Sequence, residues 1–271
     1  MDLILLGTGN AMVTRCYNTC FALRQGDDFL LVDGGGGNGI LRQAEDAGLS
    51  FSHLHHLFVT HAHTDHVLGV VWVVRAVAAL INKGSYQGTL TIWCHDTVLS
   101  IVEPLCRALL PEKLSRHIGN MICFVPIVPG DVLHCLGMEL TVFDIFSTKA
   151  KQYGFRAALP DGQVLVCLGD EPCHPDCQEL VRGCDWLLTE AFCLYDDRET
   201  FRPYEKHHST VLDAAKLAQA LDVRHLVLYH TEDKTLATRK ERYSAEARSV
   251  YHGQVYVPDD LELIRLYDGE K

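Results

Sequence analysis

The 271-residue sequence contains no uninterrupted apolar run of about 18 residues, so it predicts no transmembrane helix. It also lacks a basic N-terminal leader, because Met1–Leu6 runs straight into Gly7–Asn10. We interpret this start as a strand and a turn rather than a signal peptide. Internal repeats, low-complexity stretches and long linkers are missing as well, and we therefore predict a single domain over residues 1–271.

Positive charge is scarce: the sequence has 24 Lys and Arg residues but 35 Asp and Glu residues, and its formal net charge is −11. Proteins that bind nucleic acid usually carry basic surfaces that release counterions from phosphates. Lys149, Lys151 and Arg156 could form a local basic patch, yet the overall balance disfavours a large polyanionic substrate. We expect a small-molecule substrate and no membrane partner.

Cysteine, in contrast, is abundant. The eleven cysteines are odd in number and scattered along the chain. Together with the missing leader, this pattern indicates reduced thiols and a cytoplasmic protein.

The most informative segment is Thr60–His66, which places three histidines and one aspartate directly after the apolar residues 57–59. Imidazole nitrogen and carboxylate oxygen are the ligands that hold zinc and similar divalent ions. His61 and His63 should project to the same side, because side chains alternate along an extended chain. If the chain then turns into a helix, Asp65 and His66 can converge on a second point. The alternative is a solvated histidine-rich turn without metal, but burying such a cluster unpaired would be costly.

The hydrophobic pattern predicts two β-rich halves, each with helices, and therefore two sheets packed face to face with helices outside. Strands are expected at 3–6, 18–23, 28–32, 54–59, 90–94, 123–128, 140–146, 156–159, 164–168, 186–189 and 225–229 and near Val255 and Leu263. Helices are expected at 40–47, 67–82, 96–110, 177–181, 210–221 and 232–250.

Four residues of ligand type lie just past the ends of predicted buried strands: His61, Asp170, Glu190 and His230. Strand ends that open on one edge of a sheet can converge there. Any one of these residues alone would be interpreted as structural, but four at equivalent places favour a shared site.

These motifs, in this order, resemble the metallo-β-lactamase superfamily and, within it, the branch of ribonuclease Z and the phosphonate-pathway cyclic phosphodiesterase. Residues 60–66 match its H-x-H-x-D-H signature, and the resemblance extends over nearly the whole chain. The other matching segments are Leu6–Gly9, Leu31–Gly35, Leu168–Asp170, Thr189–Ala191, His208–Thr210 and Leu226–His230.

The resemblance implies an α/β fold, a four-layer αββα sandwich, with a dinuclear site for divalent metal, zinc in the first place and manganese or iron as alternatives. His61 and His63 would bind one ion, whereas Asp65, His66 and His230 would bind the other. Asp170 would bridge them, and Asp65 would also orient or deprotonate the attacking hydroxide. Glu190 and His208 would form a pair that protonates the leaving group. A homodimer is expected from the resemblance alone.

One departure from the family concerns a further histidine that normally binds the first metal after the strand at 140–146. Phe146, or alternatively Ser147 or Thr148, occupies that place. A phenyl ring cannot bind a metal ion, so the His61/His63 ion would be weakly bound, different or absent. His134 and His174 are the possible substitutes.

A second departure concerns the substrate. Ribonuclease Z enzymes carry a long basic arm for transfer RNA, whereas the corresponding interval here, 156–166, is predicted to be a tight hairpin around Pro160–Gly162. With the negative net charge, this disfavours transfer RNA. We therefore predict a metal-dependent phosphodiesterase acting on a small or cyclic phosphodiester. The alternatives are hydrolysis of an ester, thioester or lactone at the same site, and a degenerate metal-binding sensor with little activity.

Overall fold

The computed structural model describes residues 1–267, which fold into two compact units. The first unit comprises Met1–Gly7, Tyr17–Val128 and the C-terminal segment from Asp260, and the second comprises Thr8–Cys16 and Pro129–Asp259. Each unit contains one sheet and its own helices, with elements numbered below in chain order. The expectation of a single domain over the chain stays a prediction.

The first unit contains a mixed seven-stranded sheet in the order β14-β1-β2-β3-β4-β5-β6. The pairings from β14 to β3 are antiparallel and those from β3 to β6 are parallel. Its strands are β1 (Asp2–Gly7), β2 (Cys20–Gln25), β3 (Asp28–Val32), β4 (Leu54–Val59), β5 (Leu90–Cys94), β6 (Ile122–Pro126) and β14 (Glu262–Arg265). Its helices are α1 (Gly39–Asp46), α2 (Thr64–Asn82), α3 (Asp96–Leu109), α4 (Glu112–Ser115) and a short 3₁₀ helix, Phe51–His53.

Helix α2 is long and apolar enough to cross a membrane by length and composition, which the run-length criterion did not anticipate. Ten of its residues are nevertheless buried. Val67, Val70 and Val74 pack into the core of the first unit together with Leu57 and Val59 of β4. The helix therefore has the burial expected of a core helix.

The second unit contains another mixed seven-stranded sheet, in the order β13-β12-β11-β10-β9-β8-β7. The pairings from β7 to β10 are antiparallel and those from β10 to β13 are parallel. Its strands are β7 (Val132–Cys135), β8 (Met138–Asp144), β9 (Tyr153–Ala158), β10 (Val164–Cys167), β11 (Trp186–Glu190), β12 (His225–Tyr229) and β13 (Gln254–Tyr256). Its helices are α5 (Gln178–Val181), α6 (Arg198–Phe201), α7 (Val211–Ala220), α8 (Leu236–Arg248) and the 3₁₀ helices Pro175–Cys177, Tyr195–Asp197 and Tyr204–Lys206.

Three expectations for the second unit need correction. Strand β7 was not anticipated, because only its alternate residues Leu133 and Cys135 are buried and the strand has just four residues. The strand expected to reach Phe146 ends at Asp144, since Phe146 has a φ of 57° and leaves the extended conformation. The helix expected from 232 to 250 begins only at Leu236.

The late start of α8 has a local cause in Glu232. Its carboxylate accepts hydrogen bonds from the backbone N–H groups of Lys234 and Thr235 and from the Thr235 hydroxyl. Such side-chain bonds to nearby backbone compete with helical hydrogen bonds and favour a turn. The chain therefore turns through 232–235 before the helix starts.

Helix α8 carries a fully buried arginine, Arg239. Its guanidinium donates to the hydroxyls of Thr8 and Thr231 at 3.2 and 2.6 Å, and to the carbonyl of Pro258 at 2.8 Å. One side chain thus fastens three segments of the second unit that are far apart in sequence.

Replacing Arg239 with methionine is expected to lower the free energy of unfolding by about 2–4 kcal/mol, because the buried Pro258 carbonyl loses its donor. Urea denaturation followed by circular dichroism measures this change. Lys240→Met is the matched control, because Lys240 is half-exposed and pairs with the exposed Asp259; it should change stability by less than about 0.5 kcal/mol. Equal effects of both substitutions would show that the buried contacts of Arg239 contribute nothing.

Candidate metal-dependent active site

In the first unit, the candidate site is organised by Asp33, which follows β3 directly and has a φ of 59°. Its Oδ1 accepts from the backbone N–H of Thr60 at 2.8 Å, and its Oδ2 accepts from the Thr60 hydroxyl at 2.7 Å. The same Oδ2 lies 2.7 Å from Nδ1 of His66. Asp33 therefore joins the end of β3, the end of β4 and the start of α2.

Two glycines allow α2 to approach the turn after β3. A Cβ on Gly69 would lie 1.7 Å from the carbonyl oxygen of Gly34, so no larger residue fits there without a shift of the backbone. The backbone N–H of Gly34 donates to the carbonyl of His66, and that of Gly69 donates to the carbonyl of Gly35. The glycine-rich segment 34–37 is thus packed against α2 and sets His66 beside Asp33.

His61 and His63 lie side by side, as the alternation of side chains predicts. Nε2 of His61 is 2.9 Å from Nδ1 of His63, comparable to the separation of about 3.3 Å expected for two nitrogens on one tetrahedral zinc ion. The Thr60 hydroxyl lies 2.9 Å from Nδ1 of His61. Because that hydroxyl has a single proton, which it donates to Asp33, it accepts from His61. This leaves Nε2 of His61 as the lone-pair nitrogen of the ring.

His66 has carboxylates on both ring nitrogens, Asp33 at Nδ1 and Asp65 at 3.5 Å from Nε2. Burial lowers the pKa of His66, but the charges of Asp33 and Asp65 outweigh burial and hold that pKa well above its ordinary value. Metal-binding histidines commonly donate their second N–H to a carboxylate, which fixes the ring and makes it a better ligand. The Asp33–His66 contact has this form.

The second unit contributes three buried residues of ligand type: Asp170, His208 and His230. One ligand atom of each lies within 4.8 Å of the others. Nε2 of His230 is 3.6 Å from Oδ2 of Asp170, and the rings of His208 and His230 have centroids 5.0 Å apart. His230 follows β12 directly with a φ of 57°. Such left-handed backbone in a non-glycine residue is concentrated at functional sites.

Asp170 is positioned by the turn that follows β10. Gly169 has a φ of 73°, and a Cβ at this position would lie 2.0 Å from Nε2 of Gln152. The Tyr229 hydroxyl donates to the carbonyl of Gly169 at 2.7 Å. The end of β12 therefore supports the turn that carries Asp170.

Glu190 forms a buried pair with His208, which is itself a member of this cluster. Oε2 of Glu190 is 3.6 Å from Nδ1 of His208, and Oε1 accepts from the backbone N–H of Ser209 at 2.7 Å. Glu190 is the last residue of β11, and the backbone N–H of Phe192 donates to the carbonyl of Ser209. The two segments are thus tied together, and the Phe192 ring stacks on the imidazole of His208.

Burial dominates the protonation of this pair. It raises the pKa of Glu190 to about 8, against hydrogen bonds from Ser209 that lower it. It also lowers the pKa of His208 to about 3, helped by the nearby His230 and Lys149. Both shifts disfavour the charged forms, so burial favours a protonated Glu190 carboxyl and a neutral His208 ring.

The loop after β8 holds the residues that stand where the family places another histidine. Phe146 is 48% exposed, and its ring lies 5.2 Å from that of His174. Lys149 reaches inward, with Nζ 3.5 Å from Nε2 of His208 and 4.0 Å from Oδ2 of Asp170. His134 is exposed on β7 and pairs in register with Glu139.

The donor set fits divalent metal in each unit. The first unit brings together His61, His63, Asp65 and His66, all nitrogen and carboxylate oxygen donors of the kind that zinc accepts. The second unit brings together Asp170, His208 and His230. Neither His134 nor His174 belongs to a metal-capable group among residues 1–267. The assignment of individual ligands stays a prediction.

Sequence reasoning overlooked Asp33 and Lys149 as functional candidates. Asp33 was visible only as part of the Leu31–Gly35 motif, and Lys149 only as one member of a possible basic patch. Their partners are 33 and 59 residues away, respectively, and no local pattern reports such contacts.

Replacing Asp33 with asparagine is expected to weaken metal affinity by about 10- to 100-fold, because the ring of His66 loses its carboxylate partner. Competition with a chromophoric chelator measures this affinity. The control is Asp28→Asn at the start of β3, since Asp28 pairs with His53 at the surface and should leave metal affinity unchanged. Unaltered affinity in the Asp33 variant would contradict the role of this contact.

Comparisons with known proteins agree with the fold. The chain is 28% identical, over a 307-residue alignment, to a ribonuclease Z of Bradyrhizobium sp. (strain ORS 278), covering 92% of this chain and 95% of that protein. The structure is similar to the metallo-β-lactamase fold protein YhfI from Bacillus subtilis, with a TM-score of 0.78, 18% identity and coverage of 97% and 98%. It is also similar to the short form of human tRNase Z, with a TM-score of 0.76, 18% identity and coverage of 99% and 100%.

The protein is a metal-dependent hydrolase with the metallo-β-lactamase fold, related to ribonuclease Z, which confirms the resemblance and the fold class predicted from sequence. A family model described as Anti-Pycsar protein Apyc1 matches residues 1–256. The chain belongs to this family.

Proposed function

We propose that this protein is a phosphodiesterase that acts on a small or cyclic phosphodiester. The observation that carries the proposal is the buried Glu190–His208 pair, 3.6 Å apart, beside the ligand-type residues Asp170 and His230. A positioned proton donor is needed most where the leaving group is a poor one, such as a ribose or alkyl alkoxide. Phosphodiesters of sugars and alcohols have such leaving groups.

The proposed metal ligands are those that the resemblance implies. His61 and His63 would hold one divalent ion, Asp65, His66 and His230 would hold the other, and Asp170 would be a ligand of both. When bound, such ions make hydroxide available near neutral pH and stabilise anionic oxygens. Zinc is the proposed ion, with manganese or iron as alternatives.

The chain's own groups supply the remaining steps. The carboxylate of Asp65 orients the attacking group, and His66 is held in place by Asp33 at 2.7 Å. His208, oriented by Glu190, gives a proton to the departing alkoxide oxygen and is then reprotonated through the same pair. The stacked ring of Phe192 excludes water from one face of His208.

Two features support a small substrate over transfer RNA. Strands β9 and β10 form an antiparallel hairpin with only residues 159–163 between them, which leaves no room for a long arm in this interval. The net charge of −11 opposes a polyanion. Because relatives include ribonuclease Z, a transfer RNA precursor belongs among the tested substrates.

The proposal extends to the location and the oligomeric state of the protein. The odd number and scattered positions of the cysteines support a cytoplasmic location. A homodimer is proposed from the resemblance, and sedimentation equilibrium tests it.

The test is turnover by metal-loaded protein, with zinc or manganese, of four substrates: a cyclic mononucleotide, bis(p-nitrophenyl) phosphate, a transfer RNA precursor and a p-nitrophenyl carboxylic ester. Elemental analysis of the same samples gives the number and identity of bound ions. We expect hydrolysis of the first two and little activity on the others. Preferred cleavage of the ester or of the precursor would overturn the proposal, and inactivity on all four with metal bound would favour a sensor.

A further inference from the structure

Lys149 is a cation placed among buried groups of the second unit. Its Nζ lies 3.6 Å from Oε1 of Glu171, 4.0 Å from Oδ2 of Asp170 and 3.5 Å from Nε2 of His208. The Lys149 side chain is 19% exposed, whereas those carboxylates are nearly inaccessible. The ammonium is therefore oriented toward the proposed reaction centre and retains a narrow opening to solvent.

The loop that carries Lys149 is fastened on both sides. The Ser147 hydroxyl donates to Oε1 of Glu171 at 2.6 Å and accepts from the backbone N–H groups of Lys149 and Ala150 at 3.2 Å. The Thr148 hydroxyl lies 2.7 Å from Nδ1 of His207. These bonds hold the backbone of Lys149 against the segment that contains His208, so the position of the ammonium is built into the fold.

The contacts of the ammonium are too long to use its donors fully. Charge-assisted N–H···O bonds measure about 2.7–2.9 Å, whereas the ion-pair distances here are 3.6 and 4.0 Å. A lysine ammonium has three N–H donors, which gives it capacity for an oxygen of a ligand. The two carboxylates hold the ammonium of Lys149 in place without using all of its N–H donors.

We propose that the ammonium of Lys149 binds a non-bridging phosphoryl oxygen of the substrate and makes the site selective for anionic phosphodiesters over neutral esters. The inference rests on the proposed function and names a substrate-binding group for the same site. Because the net charge of the protein is −11, a cation at the reaction centre increases the affinity for an anionic substrate. A neutral ester gains no binding affinity from the ammonium of Lys149. This one residue therefore discriminates between the two substrate classes.

The experiment uses inorganic phosphate as the probe, with binding to the metal-loaded protein measured by isothermal titration calorimetry. Lys149→Met removes the charge and keeps an unbranched apolar side chain, whereas Lys149→Arg keeps the charge. Lys151→Met is the matched control, because Lys151 is an exposed lysine of the same loop that lies 5.2 Å from the Tyr153 ring. Elemental analysis and thermal melting accompany each variant.

Lys149→Met is expected to weaken phosphate binding by about 10- to 100-fold, the range for a hydrogen bond to a charged group, and to raise KM for bis(p-nitrophenyl) phosphate by a similar factor. Metal content and melting temperature should stay unchanged. Lys149→Arg should recover most of the affinity, and Lys151→Met should match the unmodified protein.

Several results would overturn the inference: wild-type phosphate affinity in Lys149→Met, loss of bound metal or a lowered melting temperature in that variant, or no phosphate binding by the unmodified protein. The outcome is separable from that of the proposed function. If the protein hydrolyses phosphodiesters but Lys149→Met binds phosphate as tightly as the unmodified protein, only the role of this residue is refuted. Phosphate binding through Lys149 without phosphodiester turnover refutes only the activity.

Discussion

Replacing His208 with alanine is expected to lower kcat for a phosphodiester with an alkoxide leaving group by about 10²- to 10⁴-fold, the usual contribution of a positioned general acid. The loss should be much smaller for bis(p-nitrophenyl) phosphate, because p-nitrophenolate departs without a proton. Metal content should stay at the wild-type value. Steady-state kinetics on the two substrates, with elemental analysis, measure the three quantities.

The control for this substitution is His134→Ala, which removes an exposed histidine on β7 and should leave both substrates unaffected. Glu190→Gln is a second variant with nearly the same shape, and it should reproduce the dependence on the leaving group. If His208→Ala instead loses an ion, His208 is a metal ligand, which its place near Asp170 and His230 allows. Equal losses on the two substrates would also refute the role as proton donor.

Replacing Asp170 with asparagine is expected to remove at least one ion per chain and to lower turnover by more than about 100-fold, since even residues that only orient metal ligands contribute about 10- to 100-fold. Asp170 is buried and lies 3.6 Å from Nε2 of His230. Asparagine retains the shape and removes the negative charge. Elemental analysis after dialysis, together with turnover of bis(p-nitrophenyl) phosphate, measures the effect.

The matched control is Asp176→Asn, because Asp176 is an exposed aspartate six positions further along that pairs with His174 at 3.6 Å. It should keep full metal content and activity. Thermal melting separates loss of metal from loss of fold. A folded Asp170→Asn protein that retains wild-type metal content would exclude Asp170 as a ligand.

Most elements were predictable because their signal is local. The strand expected at 54–59 is β4 with the same bounds, since its second half, Leu57–Val59, is a short apolar run of the kind found in buried strands. The start of α7 was also predictable, because Thr210 and Asp213 form a reciprocal capping box. The errors occurred where the signal was short or overridden, at the four-residue strand β7 and at the turn that Glu232 imposes before α8.

The candidate site was predictable in its residue types and less so in its connections. His61, His63, Asp65 and His66 lie within six positions, and the structure places them together in the first unit. The Glu190–His208 pair was anticipated from resemblance, but its burial and the resulting shifts in pKa were not. Desolvation depends on everything packed around a group and leaves no mark in the local sequence.

The sequence by itself indicated two β-rich halves with helices, the residue types of a metal site and the order of the strands that end in those residues, because periodicity and donor chemistry are properties of neighbouring residues. The fold class was predicted from the resemblance of the motifs to a known family. The tertiary structure alone decided that Asp33 orients His66, that Arg239 is buried across three segments, and that Lys149 points at His208. Those contacts join residues far apart in the chain, across backbone turns such as the left-handed Asp33 and His230. Their geometry exists only once the chain has folded.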